Sequence, residues 1–251
     1  MDLRLRDKTA IVTGGASGLG KAISIVLAAE GVAVWTADVN IEGAKQTEIE
    51  IAAEGGTARA VMLDVTSREQ WSKVVAKILV EDGKIDILCN VAGPAAKTGQ
   101  LDTDDEEWFR QINGHLTGVF LGCQTVLPSM IERKYGKIIN MGSFTAHGIT
   151  PIIPGYCAAF GGILAYTKCL ARFAAPHNIN VNCVSPGTMF TPMNRSRLEQ
   201  PGALAALLER MPIGRVGQAE DVAFWYAVLA SDHAKHVVGV DINVSGGQLL
   251  T

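Results

Sequence analysis

Residues 13 to 20 read Thr13-Gly14-Gly15-Ala16-Ser17-Gly18-Leu19-Gly20. Glycines at this density let backbone amides come close to an anion, and a helix start adds free N–H groups and the positive end of a dipole. The loop lies between an apolar run, Thr9 to Thr13, and a helical pattern, Leu19 to Glu30, which is where a pyrophosphate cradle belongs. A glycine-rich turn alone is also consistent with a plain strand-to-helix connection. Asp38 separates the two readings: it ends the next apolar run about twenty residues on, where a carboxylate accepts hydrogen bonds from an adenosine ribose. The chemistry implied is binding of a nicotinamide dinucleotide. A carboxylate there repels a 2′-phosphate, and Ser17, Val39 and Asn40 offer no positive charge, so NAD(H) is expected over NADP(H).

The elements that must position this loop alternate regularly. Short β-branched runs at Thr9 to Thr13, Val32 to Ala37, Ala58 to Leu63, Ile85 to Asn90, Gly136 to Met141, Asn180 to Val184 and Val238 to Asn243 predict seven strands. Between them, helical periodicity covers Leu19 to Glu30, Glu42 to Glu54, Glu69 to Glu81, Asp105 to Arg133, Tyr156 to Ala175 and Ala219 to Ala230. Repeated strand–helix–strand units predict an α/β fold: one Rossmann-type, doubly wound parallel sheet of about seven strands with helices on both faces, a single domain over residues 1–251. The Pro-, Gly- and Met-rich stretch from Pro186 to Met211 reads as a mobile substrate loop with a short helix.

The spacing T-G-x-x-x-G-x-G and the motifs after it resemble the short-chain dehydrogenase/reductase family along essentially the whole chain. Asp64-Val65 is similar to that family's adenine-contacting pair, and Asn90-Val91-Ala92-Gly93 to its N-N-A-G segment, with Val91 for the second Asn. Ser143 follows the fifth strand, and Tyr156 opens the next long helix. Ser185-Pro186-Gly187 follows the sixth strand, with Thr188 and Thr191 placed to reach the nicotinamide amide. The resemblance implies that Tyr156 is general acid or base on the substrate oxygen and that Ser143 hydrogen-bonds that oxygen. The cofactor residues it implies include Gly14, Ser17, Gly18, Leu19, Gly20, Asp38, Asn90, Ala92, Gly93 and Tyr156.

Two positions depart from the pattern. Phe160 stands four residues after Tyr156, where the family places a lysine that holds the nicotinamide ribose, and Ala159 stands where a serine is common. Aligning Gly118 and Phe120 with the family's V-N-x-x-G-x-F context puts His115 at the position of the helix asparagine, although Asn113 lies two residues earlier. Tyrosine titrates near 10 in water, and a neighbouring ammonium lowers that value. Without it Tyr156 is expected to stay protonated at neutral pH, a poor base but a usable acid, which favours reduction over oxidation. His115 and His147 are candidates to supply or relay protons, because histidine titrates near neutrality. The apolar, proline-stiffened segment containing Pro151 and Ile153, with Phe160, Met189 and Met193, suits a hydrophobic or cyclic substrate.

Composition limits the alternatives. A hydrophobic fraction of 48% supplies a core, and a net charge of −3 with both signs scattered offers no basic stripe for nucleic acid or a membrane. The N-terminus lacks the apolar run of a secretion signal, and no stretch approaches a membrane span, so a cytoplasmic location is expected. Five cysteines stand singly, without CxxC or metal-ligand spacing, and read as packed thiols. The family's habit of pairing subunits through its long helices predicts a homotetramer. Two other functions stay open: a non-redox lyase or isomerase using Ser143 and Tyr156 on a substrate oxygen, and a silent dinucleotide-binding chain altered, by nature or design, at Phe160.

Overall fold

The computed structural model describes residues 2–97, 99–147 and 153–250. Seven parallel strands are formed, β1 Thr9–Thr13, β2 Ala33–Asp38, β3 Thr57–Met62, β4 Ile87–Asn90, β5 Gly136–Met141, β6 Ile179–Pro186 and β7 Asp241–Val244, in the spatial order β3-β2-β1-β4-β5-β6-β7. Strands β1, β4, β5 and β6 are buried along their whole length, as expected of parallel strands covered on both faces. Helices α1 (Gly18–Ala29), α2 (Ile41–Ala53) and α9 (Ala219–Ala230) pack on one face, and α3 (Arg68–Asp82), α5 (Gly118–Arg133) and α6 (Pro154–Ala174) on the other. The chain order reverses between β1 and β4, and the crevice beyond the carboxyl ends of strands at such a switch point is the usual ligand position in open α/β sheets.

Two tryptophans show how the layers lock. Trp71 of α3 is fully buried and its indole N–H donates to the Val65 carbonyl. Trp35 of β2 is equally buried and donates to the Asp82 carboxylate. Under the switch point, Asn90 donates to Asn140, which donates to Thr167 of α6, so β4, β5 and α6 share one buried polar chain. Each member satisfied in this way avoids the cost of an unpaired buried amide, about 1–3 kcal/mol.

Differences from the sequence expectations have local causes. The long helix expected from Asp105 to Arg133 is broken into α4 (Asp105–Gln111), a π-helical turn (Ile112–Thr117) and α5. Strand β7 begins at Asp241 rather than Val238, because Gly239 takes a φ of 71°. Strand β4 begins at Ile87, since the Asp86 carboxylate beside it is engaged by the Thr9 N–H and by Arg133. The stretch from Pro186 to Met211 holds two short helices, α7 (Pro192–Leu198) and α8 (Ala203–Leu208), where one was expected.

Candidate active site at the switch point

The glycine loop is shaped for close backbone approach. Gly14 and Gly18 have φ of 72° and 53°, and a Cβ on Gly20 would stand 2.1 Å from the Gly14 carbonyl oxygen. Ser17, the N-cap of α1, makes no side-chain cap, and the first turn carries no acidic residue. The start of a twelve-residue helix is thus left for an external anion. Around Gly18 the nearest atoms a Cβ would meet belong to Pro192 and Thr191, at 3.8 Å, so the loop lies within reach of α7. The Thr13 hydroxyl accepts from the Val91 and Ala92 amides and ties this loop to the segment after β4.

Asp38 lies at the end of β2, its two carboxylate oxygens accepting from the Ala16 and Asn40 amides at 3.1 and 2.8 Å. Val39 and Asn40 beside it are exposed and bring no charge. Asp64 accepts from both the amide and the hydroxyl of Thr66, and Val65 follows it. Across the crevice, Pro186 ends β6, Gly187 approaches Ser245 where any side chain would clash, and Thr188 is bound to Gln248 through its amide and hydroxyl. These residues fit a dinucleotide: open amides at the helix start, a carboxylate one strand away, and a glycine cradle that a Cβ would fill.

On the catalytic side, Ser143 is buried, and its hydroxyl oxygen accepts from the Thr145 hydroxyl at 2.8 Å and the Thr145 amide at 3.2 Å. Burial pushes the Tyr156 phenol up to about 12, while Ser143 pulls the other way. Phe160, one helical turn on, is buried with its ring centroid 4.4 Å from that of Tyr156. His115 completes the cluster, 5.1 Å edge-on to Tyr156 and 4.6 Å from Phe160. Such aromatic contacts contribute about 0.5–1.5 kcal/mol each beyond area burial.

The π-helical turn explains how His115 enters. It points His115 inward and leaves Asn113 exposed, accepting from Thr117. Rare π turns insert one residue into the helical register and are frequent at functional sites. The ring lies on Gly93, where a Cβ would come within 2.0 Å of it. Its Nε2 is 3.1 Å from the Pro94 carbonyl oxygen, which can only accept, so Nε2 carries the proton. Burial, helped by the charge of Arg110 and opposed by the Pro94 contact, lowers its pKa to about 4. At neutral pH the ring is uncharged, with its single proton committed to Pro94.

The expected substrate-lining residues divide. Ile153 borders a cleft with Tyr156. Phe160 sits beneath Tyr156 in the core. Met189 is a core residue facing a different cleft with Met211 and Ile213, and Met193 is exposed. His147 is half-exposed, its Nε2 3.4 Å from the Asp241 carboxylate. Pro151 lies outside the described residues. Sequence reasoning missed Thr145 and Gln111. The S-x-T spacing was a usable signal for the first, and the four-residue helical offset from His115 for the second.

The family model described as enoyl-(acyl carrier protein) reductase matches residues 14–248. The chain belongs to the short-chain dehydrogenase/reductase family. This family member is 36% identical over 248 residues to the 3-oxoacyl-[acyl-carrier-protein] reductase of Thermotoga maritima, covering 99% of the chain and 100% of the relative. It is 37% identical to the cyclopentanol dehydrogenase of a Comamonas species, covering 97% and 98%. A solved structure from Agrobacterium tumefaciens with bound NADP superposes with a TM-score of 0.91 at 30% identity, covering 100% of this chain and 99% of that one. The family membership makes this an oxidoreductase-type fold with a nicotinamide site. Among the described residues, no helix is long and apolar enough to cross a membrane, and no cluster of three or more His, Cys, Asp or Glu could hold a metal.

Proposed function

We propose that this short-chain dehydrogenase/reductase is an NAD(H)-dependent oxidoreductase acting on the carbonyl/alcohol or imine/amine group of a hydrophobic or cyclic small molecule, and that it works chiefly as a reductase. A bound nicotinamide supplies the hydride. The residues do the rest: Ser143 holds the substrate oxygen or nitrogen by a hydrogen bond, and Tyr156 gives it a proton. His115 and Phe160 are positioning residues, His115 by its edge contact with the phenol and Phe160 by excluding water beneath it.

The observation that carries the reading is the half-buried Tyr156 phenol, with Ser143 as its polar neighbour and the Phe160 ring rather than a cation one helical turn on. A phenol kept protonated at pH 7 is present in the form that can donate a proton and not in the form that accepts one. Asp38, with its uncharged neighbours, supports NAD(H) over NADP(H), and its amide hydrogen bonds hold it in place to receive ribose hydroxyls. The cyclopentanol dehydrogenase relative supports a cyclic substrate. The reading extends to a homotetramer built through the long helices and a cytoplasmic location.

Nicotinamide absorbance tests this directly. NADH or NADPH is offered with cyclic ketones and imines, and NAD or NADP with the matching alcohols and amines. The expected result is turnover with NADH exceeding that with NADPH, and reduction exceeding oxidation near neutral pH. Alcohol oxidation at rates equal to reduction would overturn the reductase assignment, and a preference for NADPH would overturn the assignment to Asp38.

A further inference from the structure

Ser143 and Thr145 form one hydrogen-bonded unit in the turn that follows β5. Both are buried, and the Ser143 hydroxyl oxygen accepts from the Thr145 amide at 3.2 Å and from the Thr145 hydroxyl at 2.8 Å. A buried hydroxyl must place its proton on an acceptor. The Cys157 thiol, another polar neighbour of the Thr145 hydroxyl, is a weak acceptor, so the Ser143 oxygen takes that proton. Two hydrogens aimed at one oxygen from the same residue hold its lone pairs toward Thr145 and turn its own hydrogen the other way. Ser143 thus faces the site as a donor, with the Tyr156 phenol as its polar neighbour there.

The two rings packed on Tyr156 leave this polarity unchanged. The one proton of His115 lies on Nε2, toward the Pro94 carbonyl, and its Nδ1 edge lies against Gly93. Phe160 neither donates nor accepts. Two neutral donors, the Ser143 and Tyr156 hydroxyls, are therefore what the site offers to a reacting atom. A carbonyl oxygen has two lone pairs and takes both, and the two hydrogen bonds strengthen as charge builds on it. In reduction the carbonyl carbon takes the hydride of the reduced nicotinamide, the π pair moves onto oxygen, and the Tyr156 proton joins that oxygen, leaving a phenolate that water reprotonates. An imine nitrogen has one lone pair, so it satisfies one donor and leaves the other unpaired, at the cost of a lost hydrogen bond.

We infer that Thr145 is a positioning residue that acts through Ser143, aiming its hydroxyl hydrogen at the substrate, and that this fixed donor beside Tyr156 makes a ketone the preferred reducible group over an imine. The ketone preference rests on the proposed oxidoreductase function, whereas the orientation of Ser143 is read from binding alone.

The kinetic test compares NADH-dependent turnover of cyclopentanone with that of 2-methyl-1-pyrroline, a cyclic imine of the same ring size. In the native protein kcat/KM for the ketone is expected to exceed that for the imine by about tenfold or more. Thr145→Val keeps the shape and loses the hydroxyl; it should lower kcat for the ketone by about tenfold with little change in KM, leave the imine nearly unaffected, and be rescued by Thr145→Ser. In a Ser143→Ala background, Thr145→Val should add no further loss. The second readout needs no turnover: the carbonyl stretch of cyclopentanone bound with NAD, followed by difference infrared spectroscopy, should lie lower in the native protein and Thr145→Ser than in Thr145→Val. If neither compound turns over but the stretch follows that order, Thr145 orients Ser143 and the oxidoreductase reading falls. Imine turnover equal to that of the ketone in the native protein, equal losses on both compounds in Thr145→Val, an undiminished loss in the Ser143→Ala background, or neither turnover nor a shifted stretch overturns the inference. Should Thr145→Val not fold, the native ketone-to-imine ratio still decides.

Discussion

The two ends of the crevice are held together by different physics. At the cofactor end, polar side chains bind main chain: Thr13 takes the Val91 and Ala92 amides, Asp38 takes Ala16 and Asn40, and Thr47 donates to the Gly15 carbonyl. At the catalytic end, three rings, His115, Tyr156 and Phe160, pack on one another, His115 also lies on Gly93, and Ser143 is a neutral polar neighbour of the phenol. The cofactor end is built on backbone shape and one carboxylate, whereas at the catalytic end an uncharged ring, Phe160, stands one helical turn after Tyr156. On the proposed function, binding and proton transfer are thereby separable: the first would need backbone shape and one carboxylate, the second a tuned phenol.

The largest effect expected on this contrast is Gly93→Ala. A Cβ 2.0 Å from the His115 ring forces the imidazole out of its packing, at a cost of about 3 kcal/mol or more, by overpacking a dense core. In a His115→Ala background the same substitution should cost much less, a coupling that chemical denaturation of the four proteins measures. Equal costs in both backgrounds would show that the ring is not what Gly93 accommodates.

Next comes acidity. The folded His115 titrates near 4, below the 6.5 of an exposed imidazole. Between those values the unfolded chain binds the extra proton, so stability rises with pH across that window and is lost as pH falls from about 6.5 to about 4. The span amounts to about 3 kcal/mol at most. His115→Phe should flatten that slope in pH-dependent denaturation, and an undiminished slope would assign the dependence elsewhere.

Phe160→Lys sharpens the contrast from the other side. An ammonium beneath Tyr156 should lower the phenol's pKa and raise alcohol oxidation near pH 7 by about tenfold for each unit gained. The pH–rate profile should shift to lower pH with it. A folded variant with neither change would favour the silent dinucleotide-binding alternative. The smallest effect is at the cofactor end: Asp38→Asn removes a charge, not a shape, and should reduce the preference for NADH over NADPH by about fivefold, near 1 kcal/mol, in measured Kd values.

Much of this was legible from residue types. The bounds of β1, β5 and α9 follow from their apolar patterns, and the glycine loop and Asp38 fall at the strand ends where their spacing puts them. Local chemistry sufficed because a strand buried on both faces and a loop needing positive φ each restrict residue type directly. The π turn did not show itself, since Asp105 to Arg133 carries a continuous helical pattern, and only packing His115 onto Gly93 and Pro94 selects the extra residue in the register. His147 reads as a site neighbour by its distance from Ser143 in sequence, while its contact with the Asp241 carboxylate of β7, far along the chain, could not be read from that spacing.

The sequence by itself determined the sheet, the phosphate-ready loop and a phenylalanine, not a lysine, four residues after Tyr156, because each is a matter of residue type at a given spacing. Tertiary structure alone decided that Asn113 faces out and His115 in, that the histidine is neutral, and that Gln111 Oε1 is buried with no hydrogen-bond partner among the described residues. Those outcomes depend on which groups distant in sequence surround a side chain, and burial, hydrogen-bond satisfaction and pKa are properties of that surrounding rather than of the residue.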